Sequence, residues 1–355
     1  MNFFSKDRHL VCSKEEDVVD LESTTPVRYR PLWFKVLECV LCAGAFAALL
    51  AFVIKEATKD SDVPEIHDWR LDTAKNYTMD TLYWRKETEP KERHYYFNVS
   101  TLLEKASDGI VRNLTVINGQ YPGPLVEANA GDTLYIHVQN HMSQEPVTIH
   151  CHGLFFNQED SYNDGAAFIN QCAIPANGGT YTYKVKLGKE QWGTYWYHSH
   201  FSTQYADGLF GPLVIHSSKE DELLEEKYDM DMVVLVNDYY HDMANKYLVD
   251  YLAPDNENNE PTPDNGLIQG VNVFEYDSAS YVVPHDDLSR NVTDSQSNYP
   301  IIDLKRSKKY RMRVINAGFF APFTFSIDQH LLKLIEADGT NIEPLSVESL
   351  AISVS

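Results

Sequence analysis

The sequence predicts an all-β protein of two consecutive β-sandwiches, preceded by one N-terminal transmembrane helix. From residue 93 onward, short runs of alternating apolar and polar residues are separated by Gly, Pro and Asn turns. Strands at a spacing of roughly ten residues, with no strong helical pattern between them, are typical of β-sandwiches. A charged stretch at 217–229 divides these runs into two blocks. The helix is predicted from an apolar run at 36–54.

The apolar run is just long enough to span a membrane as a helix, and Glu38 is its one charged residue. About 35 residues precede it, too many for an ordinary signal peptide, so the pattern favours an uncleaved signal anchor. A buried soluble helix and a late signal peptide are the alternatives. Residues 1–35 are then a cytoplasmic tail. The charged residues 55–92 form a stalk.

Glycosylation motifs indicate on which side of the membrane the folded part lies. The chain has four Asn-x-Ser/Thr motifs after the apolar run, at Asn76, Asn98, Asn113 and Asn291. We therefore expect a single-pass membrane protein with a cytoplasmic N-terminus. Its larger part would be lumenal or extracellular, on the secretory pathway, at the plasma membrane or in the vacuole.

Charge and cysteine content exclude two classes of protein. The net charge of −22 and the lack of a basic stripe argue against nucleic-acid binding. Solubility is the simple interpretation of this acidity, and attraction of cations such as metal ions is the alternative. Five cysteines are present, but only Cys151 and Cys172 belong to the predicted folded part. Disulfide bonds therefore do not build this fold.

Two His-x-His pairs are the strongest chemical signal in the sequence. They are His150 with His152, and His198 with His200. Residues two apart on a strand point to the same face, roughly 7 Å apart, so each pair presents two imidazoles side by side. Two such strands can bring four imidazoles together. Imidazole binds Cu, Zn, Fe and Ni, so the pattern predicts a metal site without choosing the metal.

The sequence around these pairs resembles the first domain of fungal multicopper oxidases, a family that includes laccases and cell-surface iron oxidases. The resemblance rests on HCHGLFFNQED, on GTYWYHSHFSTQYADGLFGPLVIH and on the segment between them. It extends over roughly 93–355. It implies consecutive cupredoxin-like Greek-key β-sandwiches, the first at 93–218 and the second at 219–355.

The resemblance also implies roles for individual residues. His150 matches a ligand of the type 2 copper, while His152, His198 and His200 match ligands of the type 3 copper pair. Together these coppers reduce dioxygen to water. Asp164 matches a family Asp near the cluster that is thought to help move protons. A turn-forming Asp-Gly pair is the alternative interpretation of Asp164.

This chain departs from the family pattern in three respects. Cys151 replaces the usual aromatic residue between the first two histidines; a residue there faces away from them, so we expect a buried apolar side chain rather than an extra ligand. Cys172 matches a family Cys, but the disulfide partner that the resemblance implies, near the family's far C-terminus, is absent here. The third domain, with the type 1 copper and four further His ligands, is missing. We therefore expect a truncated second domain and an incomplete copper site.

The substrate is the least determined property. The resemblance implies an oxidase that takes electrons from phenols, other organic compounds or ferrous iron. Asp238 stands where iron oxidases carry an iron-binding Glu; a structural Asp at a strand end is the alternative. A non-catalytic cupredoxin remnant and a zinc hydrolase are the competing classes. Five other histidines stand alone and are expected to be core or surface residues: His137, His216, His241, His285 and His330.

Overall fold

The computed structural model describes residues 77–86, 89–220, 222, 227–257, 259–275, 280–282, 289–291 and 299–354. The predicted cytoplasmic tail and transmembrane helix lie outside these residues, so both stay predictions. Within the described part of the chain, no helix combines the length and the apolar character needed to cross a membrane.

Strands dominate the described residues, and the helices are short. The helices are α1 (Thr81–Lys86) and α2 (Ala244–Tyr251). The strands are β1 (Thr78–Met79), β2 (Glu92–Lys105), β3 (Arg112–Ile117), β4 (Val126–Asn129), β5 (Thr133–Asn140), β6 (Ile149–His152), β7 (Gly179–Lys186), β8 (Gly193–Ser199), β9 (Phe210–His216), β10 (Met230–Tyr239), β11 (Asn265–Ile268), β12 (Ser280–Val282), β13 (Ser289–Asn291), β14 (Tyr310–Asn316), β15 (Phe323–Phe325), β16 (Leu332–Ala337), β17 (Thr340–Val347) and β18 (Leu350–Ile352).

Two four-stranded sheets form the first sandwich. Their strand orders are β3-β2-β5-β7 and β4-β9-β8-β6. In the first sheet, exposed and buried residues alternate along β2, β5 and β7, as expected when one face meets solvent. The inward residues, such as Phe97 and Ile136, pack with Tyr197 and Leu213 of the second sheet into one apolar core.

The second sheet of this sandwich has no solvent face along β9, whose residues are all buried. Its other face packs against a second core that Val233 and Leu235 of β10 share with Trp196 and Val214. Strand β10 pairs with β1 and β11, and in parallel with β14. The sheet that carries the His-x-His strands is therefore covered by an apolar core on each side.

Part of the predicted stalk belongs to the folded unit. Met79 of β1 pairs with Asp231 of β10. Tyr77 is buried in the second core, and its hydroxyl donates to the carbonyls of Pro122 and Gly123 at 3.0 and 2.8 Å. These residues looked like a linker because their neighbours are charged. The aromatic side chains nevertheless gain enough from burial to hold the segment in place.

A buried ion network connects the two halves of the chain. Arg313 on β14 donates from Nε and an Nη to the Asp231 carboxylate at 2.9 and 2.7 Å. Glu220, in the segment after β9, lies 2.5 Å from Arg313 and 3.0 Å from Arg311. Arg313 also reaches the hydroxyl of Thr194, near the start of β8, at 3.2 Å. The network therefore fixes one end of the strand that carries His198.

Replacing Arg313 tests how much this network contributes to the free energy of unfolding. Arg313→Ala would leave Asp231 and Glu220 buried without their main counterion, and breaking a buried pair from one side costs about 3–5 kcal/mol. We expect a large decrease in the free energy of unfolding, measured by denaturant titration.

The matched control is Lys308→Ala, which removes an exposed ion pair with Asp229 at the same end of the sheet. Exposed pairs stay solvated and contribute little, so this variant should unfold close to the wild-type midpoint. Equal shifts in the two variants would contradict a structural role for the network.

Candidate metal centre

The pairing of β6 with β8 brings the predicted histidines together. These strands are antiparallel, with His150 opposite His198 and His152 opposite Trp196. Because alternate residues share a face, His150, His152 and His198 project to the same side of the sheet. His200 follows the end of β8, and its backbone N–H donates to the Thr148 carbonyl at 3.4 Å.

The four imidazole rings form a compact cluster around His150. Its ring centre lies 5.4 Å from that of His152, 5.3 Å from that of His198 and 5.4 Å from that of His200. Nitrogen atoms of His150, His152 and His198 all lie within 4.8 Å of one another. Two imidazole nitrogens at about 2.0–2.1 Å from one ion lie at most about 4.2 Å apart, so separations of this order suit one ion or two neighbouring ions. The donor set therefore fits a metal ion that prefers imidazole.

Burial keeps the imidazoles of His150, His152 and His198 neutral. It lowers the pKa of His198 to about 3 and that of His152 to about 4, and repulsion between neighbouring rings contributes in the same direction. Burial also lowers the pKa of His150. Neutral imidazole has the free electron pair that a metal ligand needs, so the cluster can bind a cation at ordinary pH without first releasing protons.

Backbone carbonyls orient two of the ligands. The Nδ1 of His150 donates to the Asp164 carbonyl at 2.6 Å and lies 3.2 Å from the Asp164 carboxylate. The Nδ1 of His198 donates to the Ser199 carbonyl at 2.8 Å. Each bond places the ring proton on Nδ1 and leaves Nε2 with the electron pair that a metal needs; Nε2 of His198 lies 3.2 Å from Nδ1 of His152. This is the usual arrangement in metal sites, where the second ring nitrogen is held by an acceptor.

A close approach between two chain segments places Asp164 beside His150. Gly165 has φ +88°, and a Cβ built on it would lie 2.0 Å from the Ile149 carbonyl oxygen on β6. Only glycine allows both this conformation and this contact. The chain bends at Asp164, and this bend brings the Asp164 carboxylate next to the cluster.

Two aromatic residues beside the cluster were not predicted from the sequence. Trp196 stacks on His198 and His152, with ring centres at 4.4 and 5.1 Å. Tyr205 lies 4.9 Å from His198 and 5.2 Å from Phe319 in the second half of the chain. The position of Trp196, two residues before His198 on one strand, could have revealed it. Tyr205 gave no local signal.

Cys151 lies on the opposite face of β6, as predicted. It is buried in the core of the first sandwich, and burial raises its pKa to about 12. A thiol in that environment stays protonated and does not serve as a ligand. Cys172 is exposed and unbonded among the described residues.

Asp238 has a structural role in this geometry. Its buried carboxylate accepts backbone N–H groups of Phe319, Phe320 and Ala321 at 2.6, 2.8 and 2.9 Å, and the Tyr240 hydroxyl at 3.2 Å. These bonds tie the loop after β14 to the end of β10. Substrate binding by Asp238 stays a prediction, and these contacts favour the structural alternative.

The lone histidines occupy varied environments. His216 is buried 3.0 Å from a Glu127 carboxylate oxygen, and His241 is buried 2.8 Å from one of Asp108. His330 is exposed, and His285 lies outside the described residues. His137 is different, because its ring lies beside a second imidazole.

Comparisons with known proteins agree in both halves of the chain. Family models described as multicopper oxidase match residues 99–220 and 230–355. Laccase-2 of Thanatephorus cucumeris is 39% identical over 254 residues, which cover 70% of this chain and 39% of that protein.

Two solved structures resemble the chain with a TM-score of 0.61 each. The laccase from Botrytis aclada is 33% identical, and the match covers 76% of this chain and 46% of the laccase. Fet3p, described as a multicopper oxidase that functions in iron import, is 25% identical, over 74% of this chain and 44% of Fet3p. These matches confirm the predicted cupredoxin-like β-fold. The chain spans only about two-fifths to half the length of the curated relatives that it matches.

Gly165 gives a direct test of how the centre is held together. In Gly165→Ala the added methyl group collides with the Ile149 carbonyl, so Asp164 must move away from His150. We expect a clear loss of both stability and copper binding, measured by thermal unfolding and by metal analysis.

Gly178→Ala is the control, because Gly178 has a similar φ of +94° with no heavy atom within 4 Å of the added Cβ. It should show only the conformational cost of about 1–3 kcal/mol, with copper binding intact. If both variants lost copper equally, the close contact at Gly165 would not matter for the centre.

Proposed function

The chain belongs to the multicopper oxidase family, and from this premise we propose that it provides part of the copper centre of a laccase-like oxidase. The proposed reaction couples one-electron oxidation of a phenol or related organic compound to the reduction of dioxygen to water. The observation that carries this proposal is the cluster of neutral imidazoles on β6 and β8.

Four ligands of a trinuclear site come from this chain. In the copper-loaded protein, His150 would hold the type 2 copper, and His152, His198 and His200 would hold the type 3 pair. Bound copper would supply the one-electron redox chemistry. The chain holds its ligands in the orientation that the Asp164 and Ser199 carbonyls impose. These four positions lie in the part of a laccase that this chain matches, which is 39% of Laccase-2 and 46% of Laccase-4 of Thanatephorus cucumeris.

Asp164 contributes a carboxylate within reach of a copper ligand. Its Oδ1 lies 3.2 Å from Nδ1 of His150, and its side chain is only partly buried. Reduction of dioxygen to water consumes protons, and a carboxylate between solvent and the cluster can accept and pass them on. The backbone carbonyl of the same residue holds His150, so the two functions of Asp164 are separable.

The reducing substrate is proposed to be organic rather than ferrous iron. Two observations support this choice. The laccases named above have higher sequence identity to the chain than Fet3p has. In addition, the Asp238 carboxylate is already engaged by three backbone N–H groups. Ferrous iron remains the second candidate, because the fold similarity to Fet3p is equally high.

Copper content and dioxygen uptake test the proposal together. In the full native protein, His152→Ala and His198→Ala should each lose most of the cluster copper and most dioxygen uptake with a phenol, because each removes a ligand. His330→Ala, an exposed histidine away from the cluster, should retain both.

Elemental analysis and an oxygen electrode provide the measurements. Comparing a phenol with ferrous iron as electron donor separates the two candidate substrates. A native protein without copper, or unchanged copper in the ligand variants, would overturn the proposal.

Asp164→Asn tests the carboxylate separately from the carbonyl. The variant keeps the backbone bond to His150, so copper content should stay near the wild-type value. Loss of a group that supports a metal ligand typically costs about 10–100-fold, and we expect dioxygen uptake to fall by that factor.

Glu159→Gln is the control, since it removes an exposed carboxylate from the same loop. It should leave both quantities unchanged. Normal dioxygen uptake in Asp164→Asn would exclude a role for this carboxylate in the reaction.

A further inference from the structure

The solvent face of the first sheet carries a second pair of close histidines, far from the two motifs in sequence. Strands β2 and β5 are parallel, with His94 opposite Tyr135 and Tyr96 opposite His137. All four side chains project away from the apolar core, because adjacent residues on the same strands, such as Phe97 and Ile136, are buried in it.

Aromatic neighbours hold both histidine rings in place. His94 stacks on Tyr135 with ring centres 4.6 Å apart and planes inclined by 7°. His137 stacks on Tyr96 at 4.7 Å and 17°. The two imidazole planes are themselves inclined by only 6°. Stacking of this kind restricts ring rotation on an otherwise exposed surface.

The two rings point nitrogen atoms at each other. Nδ1 of His94 lies 3.0 Å from Nε2 of His137. The other nitrogen of His137, Nδ1, lies 3.0 Å from the Thr182 hydroxyl oxygen. When His137 donates that proton to Thr182, its Nε2 presents an electron pair to His94. The space between the rings then needs a proton or a cation, since two electron pairs would repel each other.

We propose that His94 and His137 form a surface binding site for a divalent transition-metal cation, separate from the copper cluster. In tetrahedral coordination, two imidazole nitrogens at about 2.0–2.1 Å from one zinc ion are separated by about 3.3–3.4 Å, slightly more than the 3.0 Å seen here. A small rotation of the exposed His94 ring, within what the stacking permits, would open this distance and direct both electron pairs to one point. Water completes the coordination.

Nearby charge favours a cation at this place. The Glu92 carboxylate lies 3.7 Å from Nε2 of His94, and it also accepts the Tyr135 hydroxyl at 3.1 Å. Lys184 is the opposing charge, with Nζ 5.5 Å from the Tyr135 ring centre on the side of β7. The chain as a whole carries a net charge of −22, which raises the local concentration of cations. The proposal does not depend on the proposed oxidase function.

Zinc binding to the copper-loaded full chain tests the site. Equilibrium dialysis against Zn²⁺ alone should show one equivalent of zinc that is lost in the double variant His94→Ala/His137→Ala. The single variant His137→Gln, which keeps a polar side chain near Thr182, should lose it as well. His330→Ala, which removes an exposed histidine elsewhere, should retain it. Zinc should also raise the thermal unfolding temperature of wild type but not of the double variant.

The difference between wild type and double variant reports on this pair alone. A defective copper cluster changes the metal content of all these proteins equally, so failure of the proposed function would look different. Circular dichroism verifies that the variants are folded. Equal zinc binding in wild type and double variant, or none in either, would mean that the two rings share only a proton, and the proposal would be wrong.

Discussion

The antiparallel pairing of β6 with β8 is the constraint on which the rest of the centre depends. With His150 opposite His198, every odd-numbered neighbour, such as Cys151 and Tyr197, must point into the first core. The imidazoles then have only the other face available. A shift of one residue in this pairing would reverse every side chain and place the histidines in an apolar core, where they could not meet a metal ion. Register is therefore as important here as the identity of the ligands.

The sheet can hold this register because both of its faces are covered. Near the start of strand β8, Arg313 and the Glu336 carboxylate from the second half contact Thr194. It ends at Ser199, whose hydroxyl donates to Gln204 at 2.8 Å. Between these ends, Trp196 and Tyr197 fill opposite cores. Side chains that are locked by packing keep metal ligands in position more accurately than loops do.

The sequence predicted those features that depend on local periodicity. Strand alternation was sufficient to place His150, His152 and His198 on one face and Cys151 on the other. It could not predict contacts between distant segments, such as those of Arg313 with Asp231 and Glu220. Each of these residues looks like an ordinary surface charge until its partner is known, and buried charges occur only in pairs. For the same reason His137 looked isolated, because its partner His94 lies 43 residues away.

The shared sheet also affects how the chain can be divided. Trp196, Phe210 and Val214 belong to strands of the first sandwich, yet they are buried by residues of β10 and β14. Cleavage near residue 219 would expose this apolar face to water on the first fragment. The second fragment would lose the apolar surface that covers its core. The two halves match separate family models, but they are not independently folding units. We expect the two halves to fold cooperatively as one unit, because one sheet contributes side chains to both apolar cores.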